Sequence, residues 1–302
     1  MTHTEHNRET LMHLQPRHAT FVGVDSDGCV FDTMDLKQKQ CFHGNIVSQW
    51  ALEPIEHLVR ETAEFINLHS KSRGRNRFLC LVETMDRLRI RPEAMQSGVP
   101  IPEFSDLKAF IAADAPLGHP ALETAARETG SEELSAVLAW SLKVNADIEA
   151  KVKNVPPFPW ARESLEKIAA SSDAICVSQT PLEALIREWE ENNLLHMVRM
   201  IAGQELGTKT EHIALAADGR YAPDKILMIG DAPGDRKAAQ DNQALFYPIV
   251  PSREAESWER FCEEAYDKFL AGTYAGAYEK SLVDAFDAAL PETAPWETNQ
   301  NA

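Results

Sequence analysis

Phe21-Val22-Gly23-Val24-Asp25-Ser26-Asp27-Gly28-Cys29-Val30-Phe31-Asp32 is the stretch on which the reading of this chain turns. A short apolar run stops at two carboxylates one residue apart, and Gly28 then permits a turn that a Cβ would resist. An apolar run of this length bounded by turn residues predicts a strand buried on both faces that feeds a polar loop. Strand alternation sends Asp25 and Asp27 to the same side. Two carboxylates about 4 Å apart repel by roughly 4 kcal/mol at an effective dielectric near 20. A proton or a divalent cation is the usual relief, and the stretch alone leaves both open.

Downstream, helix and strand patterns alternate. Ala161, Leu165, Ile168 and Ala169 mark an amphipathic helix, followed by a strand over Ala174–Val177. A second helix carries Leu182, Leu185, Ile186 and Trp189, and a strand is expected near Met197–Ala202. A third helix spans about Lys209–Ala217, and strands follow at Ile226–Ile229 and Ala244–Tyr247. This alternation predicts an α/β fold: a doubly wound parallel sheet with helices on both faces. Between about residues 35 and 154 the pattern is helical, with one face at Leu52, Ile55, Leu58, Val59, Thr62, Phe65 and Ile66 and another at Leu134, Val137, Leu138, Ser141, Val144 and Ile148. That interval reads as an inserted helical domain (35–154) in a core formed by 1–34 and 155–302, with Val155-Pro156-Pro157-Phe158-Pro159 as the exit hinge. Residues 1–18 and the Pro/Thr/Asn-rich end are expected to be loosely held.

In open α/β sheets ligands bind beyond the carboxyl ends of the strands. Asp25 and Asp27 follow the first strand. Ser178-Gln179-Thr180-Pro181-Leu182-Glu183 follows the second, where Thr180 and Glu183 have capping-box spacing and Pro181 suits a first helical turn. Free amides at such a helix start favour an anion. Thr208-Lys209-Thr210-Glu211 repeats the box near the third strand, and its lysine opposes the helix dipole. Gly230-Asp231-Ala232-Pro233-Gly234-Asp235 follows the fourth. Each piece alone is an ordinary cap or turn; carboxylates, a hydroxyl and a lysine at successive strand ends are not.

The order Asp25-x-Asp27-Gly28, Ser178, Lys209, Gly230-Asp231-x-x-x-Asp235 resembles the four motifs of the haloacid dehalogenase superfamily, with Asp32 matching its extended first motif. The resemblance covers residues 20–35 and about 156–250, and the helical insert corresponds to that family's cap of the first type. It implies a Rossmann-like core and an Mg²⁺-dependent phosphatase, in which Asp25 is the nucleophile of an aspartyl-phosphate mechanism and Asp27 the general acid and base. It also implies Asp25, Asp27, Asp231 and Asp235 around the metal, with Ser178 and Lys209 on the phosphate. A dehalogenase lacks the second acid, so Asp27 points to phosphoryl chemistry. A phosphomutase, or a silent protein that keeps the fold, are the alternative readings. Gln179, beside Ser178, is a candidate substrate contact.

The formal charge of −17 over 302 residues argues against nucleic acid or an anionic membrane as partner. A small phosphorylated metabolite in a local basic pocket is the expected substrate. Ser70-Lys71-Ser72-Arg73-Gly74-Arg75-Asn76-Arg77 is the basic anomaly of the helical domain, and Arg73, Arg75 and Arg77 are candidate substrate contacts there. Five scattered cysteines without a CxxC pair fit free thiols in a reducing compartment. With no signal-peptide pattern, the expected location is cytoplasmic.

Overall fold

Phe21–Val24 forms the first strand, β1, and every residue in it is buried. A strand covered on both faces belongs in the middle of a sheet. In the computed structural model, which describes residues 5–113 and 116–298, β1 pairs in parallel with β2 (Asp173–Val177) and with β4 (Ile226–Gly230). β3 (Met200–Ala202) and β5 (Leu245–Pro248) complete a five-stranded sheet of order β3-β2-β1-β4-β5, parallel throughout. The chain builds outward from β1 on one side and then crosses to the other. The switch in strand order therefore falls at β1 and β4, whose carboxyl ends carry Asp25 and Asp231.

The chain divides into two compact units, Met1–Met34 with Asn154–Pro291, and Asp35–Lys153 with Glu292–Ala302. The first holds the sheet. Phe21, Ile175, Val177, Met200, Ile213, Met228, Phe246 and Phe286 are among the buried side chains of one core cluster in it. Gly23 is there for close approach, because a Cβ at that point would sit 3.1 Å from Met228 Sδ and 3.2 Å from Val177 Cγ2.

The second unit is helical. Its helices include Glu56–Leu68, Arg77–Ile90, His119–Thr129 and Glu132–Lys151. The expected stripe of Leu58, Val59, Thr62, Phe65 and Ile66 is buried, as are Leu134, Val137, Ser141 and Val144. Trp140, with Phe42 and Trp50 packed against it, is the large side chain of that interior. No described helix is long and apolar enough to cross a membrane.

Both ends depart from expectation. Residues 1–4 and 299–302 lie outside the described residues, but the rest of each end is packed. Arg8–Met12 is a short helix that buries Leu11, and Leu14 follows it into the core cluster of the sheet. Arg8 Nη1 donates to the Leu206 carbonyl (2.7 Å), and the amides of Arg17 and His18 donate to Asp173 Oδ2 (2.7 and 2.8 Å). At the other end Pro295–Thr298 is helical, Ala294 is buried, and Trp296 packs on Phe65 and beneath the Arg91 guanidinium (4.3 Å). The segment from Glu292 thus belongs with the helical unit rather than the sheet. Single apolar residues in polar surroundings carry both contacts, and such residues leave no periodicity to read.

Candidate active site

The backbone sets the site before any side chain does. β1 ends at Val24, and the Asp25 amide donates to the Ile229 carbonyl (3.0 Å), which carries the strand pairing one residue further. The chain then turns: Val30 N donates to Ser26 O (2.9 Å) and Gly28 N to Phe31 O (2.8 Å), with Gly28 at φ 76°, where a side chain would be strained. Two tryptophans pin this loop. Trp258 Nε1 donates to the Cys29 carbonyl (2.8 Å), and Trp189 Nε1 donates to Ser26 Oγ (3.0 Å), which itself donates to Glu188 Oε2 (2.9 Å).

Asp25, Asp231 and Asp235 are buried, and one carboxylate oxygen from each lies within 4.8 Å of the others. Lys209 Nζ reaches in from the start of helix Lys209–Ala217, 2.9 Å from Asp25 Oδ2 and 2.6 Å from Asp235 Oδ1. Thr208 and Glu211 form the expected capping box there, so the lysine is free of any capping duty. Asp235 Oδ2 accepts from the Ala232 amide (3.0 Å), which fixes the carboxylate over Gly230. A Cβ on Gly230 would lie 2.3 Å from Asp235 Cγ, so only glycine fits at the end of β4.

Burial holds the Asp25 carboxyl well above the usual carboxylate range; Lys209 opposes this, and Asp235 and Asp231 add to it. For Lys209, burial favours the neutral amine, but Asp235 and Asp25 outweigh it and the ammonium is stabilised. The same burial and carboxylates push the Cys29 thiol well up, so it is no thiolate.

Asp27 has a different environment. Its Oδ1 accepts from Thr33 Oγ1 and its Oδ2 from Thr180 Oγ1 (2.6 Å). Thr180 is therefore not the helix cap that its spacing with Glu183 predicts. The helix Leu182–Glu191 has no side-chain cap from within its own turn; the Leu182 amide donates to Glu205 Oε2 instead (2.9 Å). Ser178 is buried at the end of β2, where its amide extends the pairing to Ala202 O (2.9 Å) and its Oγ accepts from the Thr180 amide (3.2 Å). Gln179 Nε2 donates to the Gly207 carbonyl (2.9 Å).

Asp25, Lys209, Asp231 and Asp235 are thus brought together, and Asp27 is oriented by hydroxyls from two segments. Ser26, Thr33, Thr180, Glu188, Trp189 and Trp258 were not foreseen as supports; only Thr180 carried a sequence signal, and it pointed to another role. The basic run of the helical unit forms no single patch. Lys71 pairs with Glu292 and Arg75 with Glu83, while Arg77 turns to Ser141 and Asn145. The backbone turns within the run, where the Arg73 amide donates to the Ser70 carbonyl (3.0 Å) and the Arg75 amide to the Ser72 carbonyl (3.1 Å).

Carboxylate oxygens are the hard donors that a cation such as Mg²⁺ takes, so the cluster of Asp25, Asp231 and Asp235 fits such an ion.

No protein-family model matches the chain, and a search of curated proteins finds no match either. Among solved structures, the chain is similar to a haloacid dehalogenase-like family hydrolase from Xanthomonas campestris (13% identity, 86% of this chain and 96% of that one, TM-score 0.46). It is also similar to a haloacid dehalogenase-like family hydrolase from Streptococcus pneumoniae (14%, 80% and 90%, TM-score 0.42). A third is a haloacid dehalogenase superfamily hydrolase of subfamily IA from Geobacter sulfurreducens (15%, 78% and 89%, TM-score 0.39).

Proposed function

We propose that this chain is a phosphoryl-transfer enzyme of the haloacid dehalogenase type, hydrolysing phosphate monoesters of small metabolites with Mg²⁺. The observation that carries the reading is the division of labour between two neighbouring acids. Asp25 sits buried among carboxylates beside an ammonium, whereas Asp27 is held by two hydroxyls.

In this reading an Asp25 oxygen attacks phosphorus in line, the bond to the leaving oxygen breaks, and an aspartyl phosphate forms. Asp27 gives a proton to the leaving alkoxide. It then takes one from the water that attacks phosphorus and releases Asp25. Thr33 and Thr180 keep its carboxyl aimed while the proton moves. Lys209 offsets charge on the transferring oxygens, and the Ser178 hydroxyl at the end of β2 is the other candidate for them. Asp25, Asp231 and Asp235 would hold the cation, which when bound supplies charge neutralisation among the acids and draws electron density from the phosphoryl group.

The test is release of phosphate from p-nitrophenyl phosphate with and without Mg²⁺. Asp25→Asn is expected to lower turnover by at least about 10³-fold with the circular dichroism spectrum unchanged. Retention of activity in that variant would remove the nucleophile from the scheme. Isomerisation of a sugar phosphate without net phosphate release would mark a mutase instead.

A further inference from the structure

Arg77 opens the helix Arg77–Ile90 in the helical unit, and its side chain is partly buried. Its Nη1 donates to Asn145 Oδ1 (2.7 Å), Ser141 Oγ (3.0 Å) and the Ser141 carbonyl (3.3 Å), and the guanidinium lies over the Phe42 ring at 5.1 Å. All these partners are neutral. Arg75, Arg87, Arg89 and Arg91 of the same unit each meet a carboxylate: Glu83, Glu83 with Glu297, Asp86 with Glu103, and Glu61. Arg77 meets none among the described residues, and burial alone pulls it down, to about 10. A partly desolvated guanidinium without a counter-ion is a costly arrangement. Its position at a helix start adds to the cost, since the dipole there repels a cation.

The surroundings deepen the positive character. Ser141 is fully buried and its Oγ lies 2.6 Å from His119 Nε2. His119 begins the helix His119–Thr129, which follows Gly118 and so has no side-chain cap. Asn76 Nδ2 donates to the Leu117 carbonyl (2.9 Å), which ties this second helix start to the first. Two helix N-termini, a histidine and an arginine without a carboxylate therefore meet at one serine. Burial and the Arg77 charge both disfavour protonation of His119. Arg77 Nη2 and Nε find no acceptor among the described residues, and they are the edge of the fork that pairs with a carboxylate or phosphate.

We infer that Arg77, with His119, Ser141 and Asn145, forms an oxyanion-binding site in the helical unit that takes the carboxylate or phosphate group of a small acid. The inference stands on these contacts and does not need the catalytic reading above. In a chain of −17 formal charge, an arginine that meets no carboxylate among the described residues is suited to an anion from outside.

The test uses the full chain carrying Asp25→Asn, in EDTA, so that binding at the carboxylate cluster does not contribute. Inorganic phosphate and, separately, succinate are titrated at fixed pH while the ¹⁵N-labelled His119 side chain is followed by NMR. A saturable shift of His119 is expected with at least one of them. Arg77→Lys keeps the charge without the fork and is expected to weaken the binding at least about tenfold; Arg77→Met is expected to abolish it. Arg75→Met should leave it within about twofold, since that arginine is already paired. The probe that saturates identifies the group, carboxylate or phosphate. Kinetics of the active enzyme give the source. A rise in KM confined to phosphate esters bearing a second anionic group assigns the site to substrate, and unchanged kinetics assign it to a separate ligand. Absence of any saturable shift with both probes, or equal binding by wild type and Arg77→Met, overturns the inference.

Discussion

Gly230→Ala is the most demanding test of the carboxylate cluster, because it changes no charged group. The added methyl would lie 2.3 Å from Asp235 Cγ and 2.4 Å from its Cβ and Oδ2. Carbon atoms rest at about 3.5 Å, so Asp235 must retreat by about 1 Å. Asp235 is fully buried and cannot turn toward water. Retreat breaks the 2.6 Å contact with Lys209 and the 3.0 Å bond from the Ala232 amide together. Overpacking costs about 1–3 kcal/mol, and separating a buried ion pair about 3–5 kcal/mol. Because the two share one movement, a combined loss of about 4 kcal/mol is expected, a large fraction of an ordinary domain's stability. Urea unfolding followed by circular dichroism reads it as a lower midpoint at constant slope. Phosphate release should fall at least about 100-fold, since Lys209 loses a partner and the cluster its third oxygen. The Asp235→Gly background supplies the control: there the methyl has nothing to strike and should cost under about 1 kcal/mol. If alanine costs the same in both backgrounds, or nothing in either, Asp235 does not sit over Gly230 and the cluster is wrongly assembled.

Thr180→Val removes the hydroxyl that holds Asp27 Oδ2 while keeping the shape. A hydrogen bond to a charged group contributes about 1.5–3 kcal/mol, so kcat should fall about tenfold or more with KM nearly constant. Thr180→Ser should restore most of it, and a change confined to KM would remove Thr180 from proton transfer. Away from the site, Asp173 gives a pH dependence of stability. Burial would raise its carboxyl, but the amides of Arg17 and His18, the Tyr221 hydroxyl and Arg199 outweigh that and hold it below the usual range. A depressed folded pKa means stability present above the unfolded value of about 3.9 and lost as pH falls through the folded one. Wild type should therefore exceed Asp173→Asn by about 3 kcal/mol at pH 7, and the gap should shrink below about pH 4. A gap that widens in acid would contradict the assignment.

The strands, their parallel pairing and the residues at their ends were legible because each rests on a local signal: an apolar run stopped by an acid or a hydroxyl. Lys209 was legible for a physical reason of the same kind, since the box of Thr208 and Glu211 caps the helix and leaves the lysine without a local purpose. Thr180 misled because its spacing offers two partners, the amides of its own helix and Asp27, and only the folded chain brings Asp27 within 2.6 Å. The relief of charge at Asp25 was expected from a proton or a metal, and the ammonium of Lys209 takes a share that local spacing could not reveal. The packed ends were illegible in a third way. Leu11, Leu14 and Trp296 are lone apolar side chains whose burial depends on surfaces made by distant segments.

The return of the last residues to the helical unit has a practical corollary. That unit is entered at residue 35, left at 153 and re-entered at 292, so it is assembled from two separate lengths of polypeptide. Excising 35–153 as an autonomous piece would strip Phe65 and Arg91 of the indole they cover. Cutting the chain at 291 would do the same. A label placed at Glu297 would report on the helical unit, to which that residue belongs.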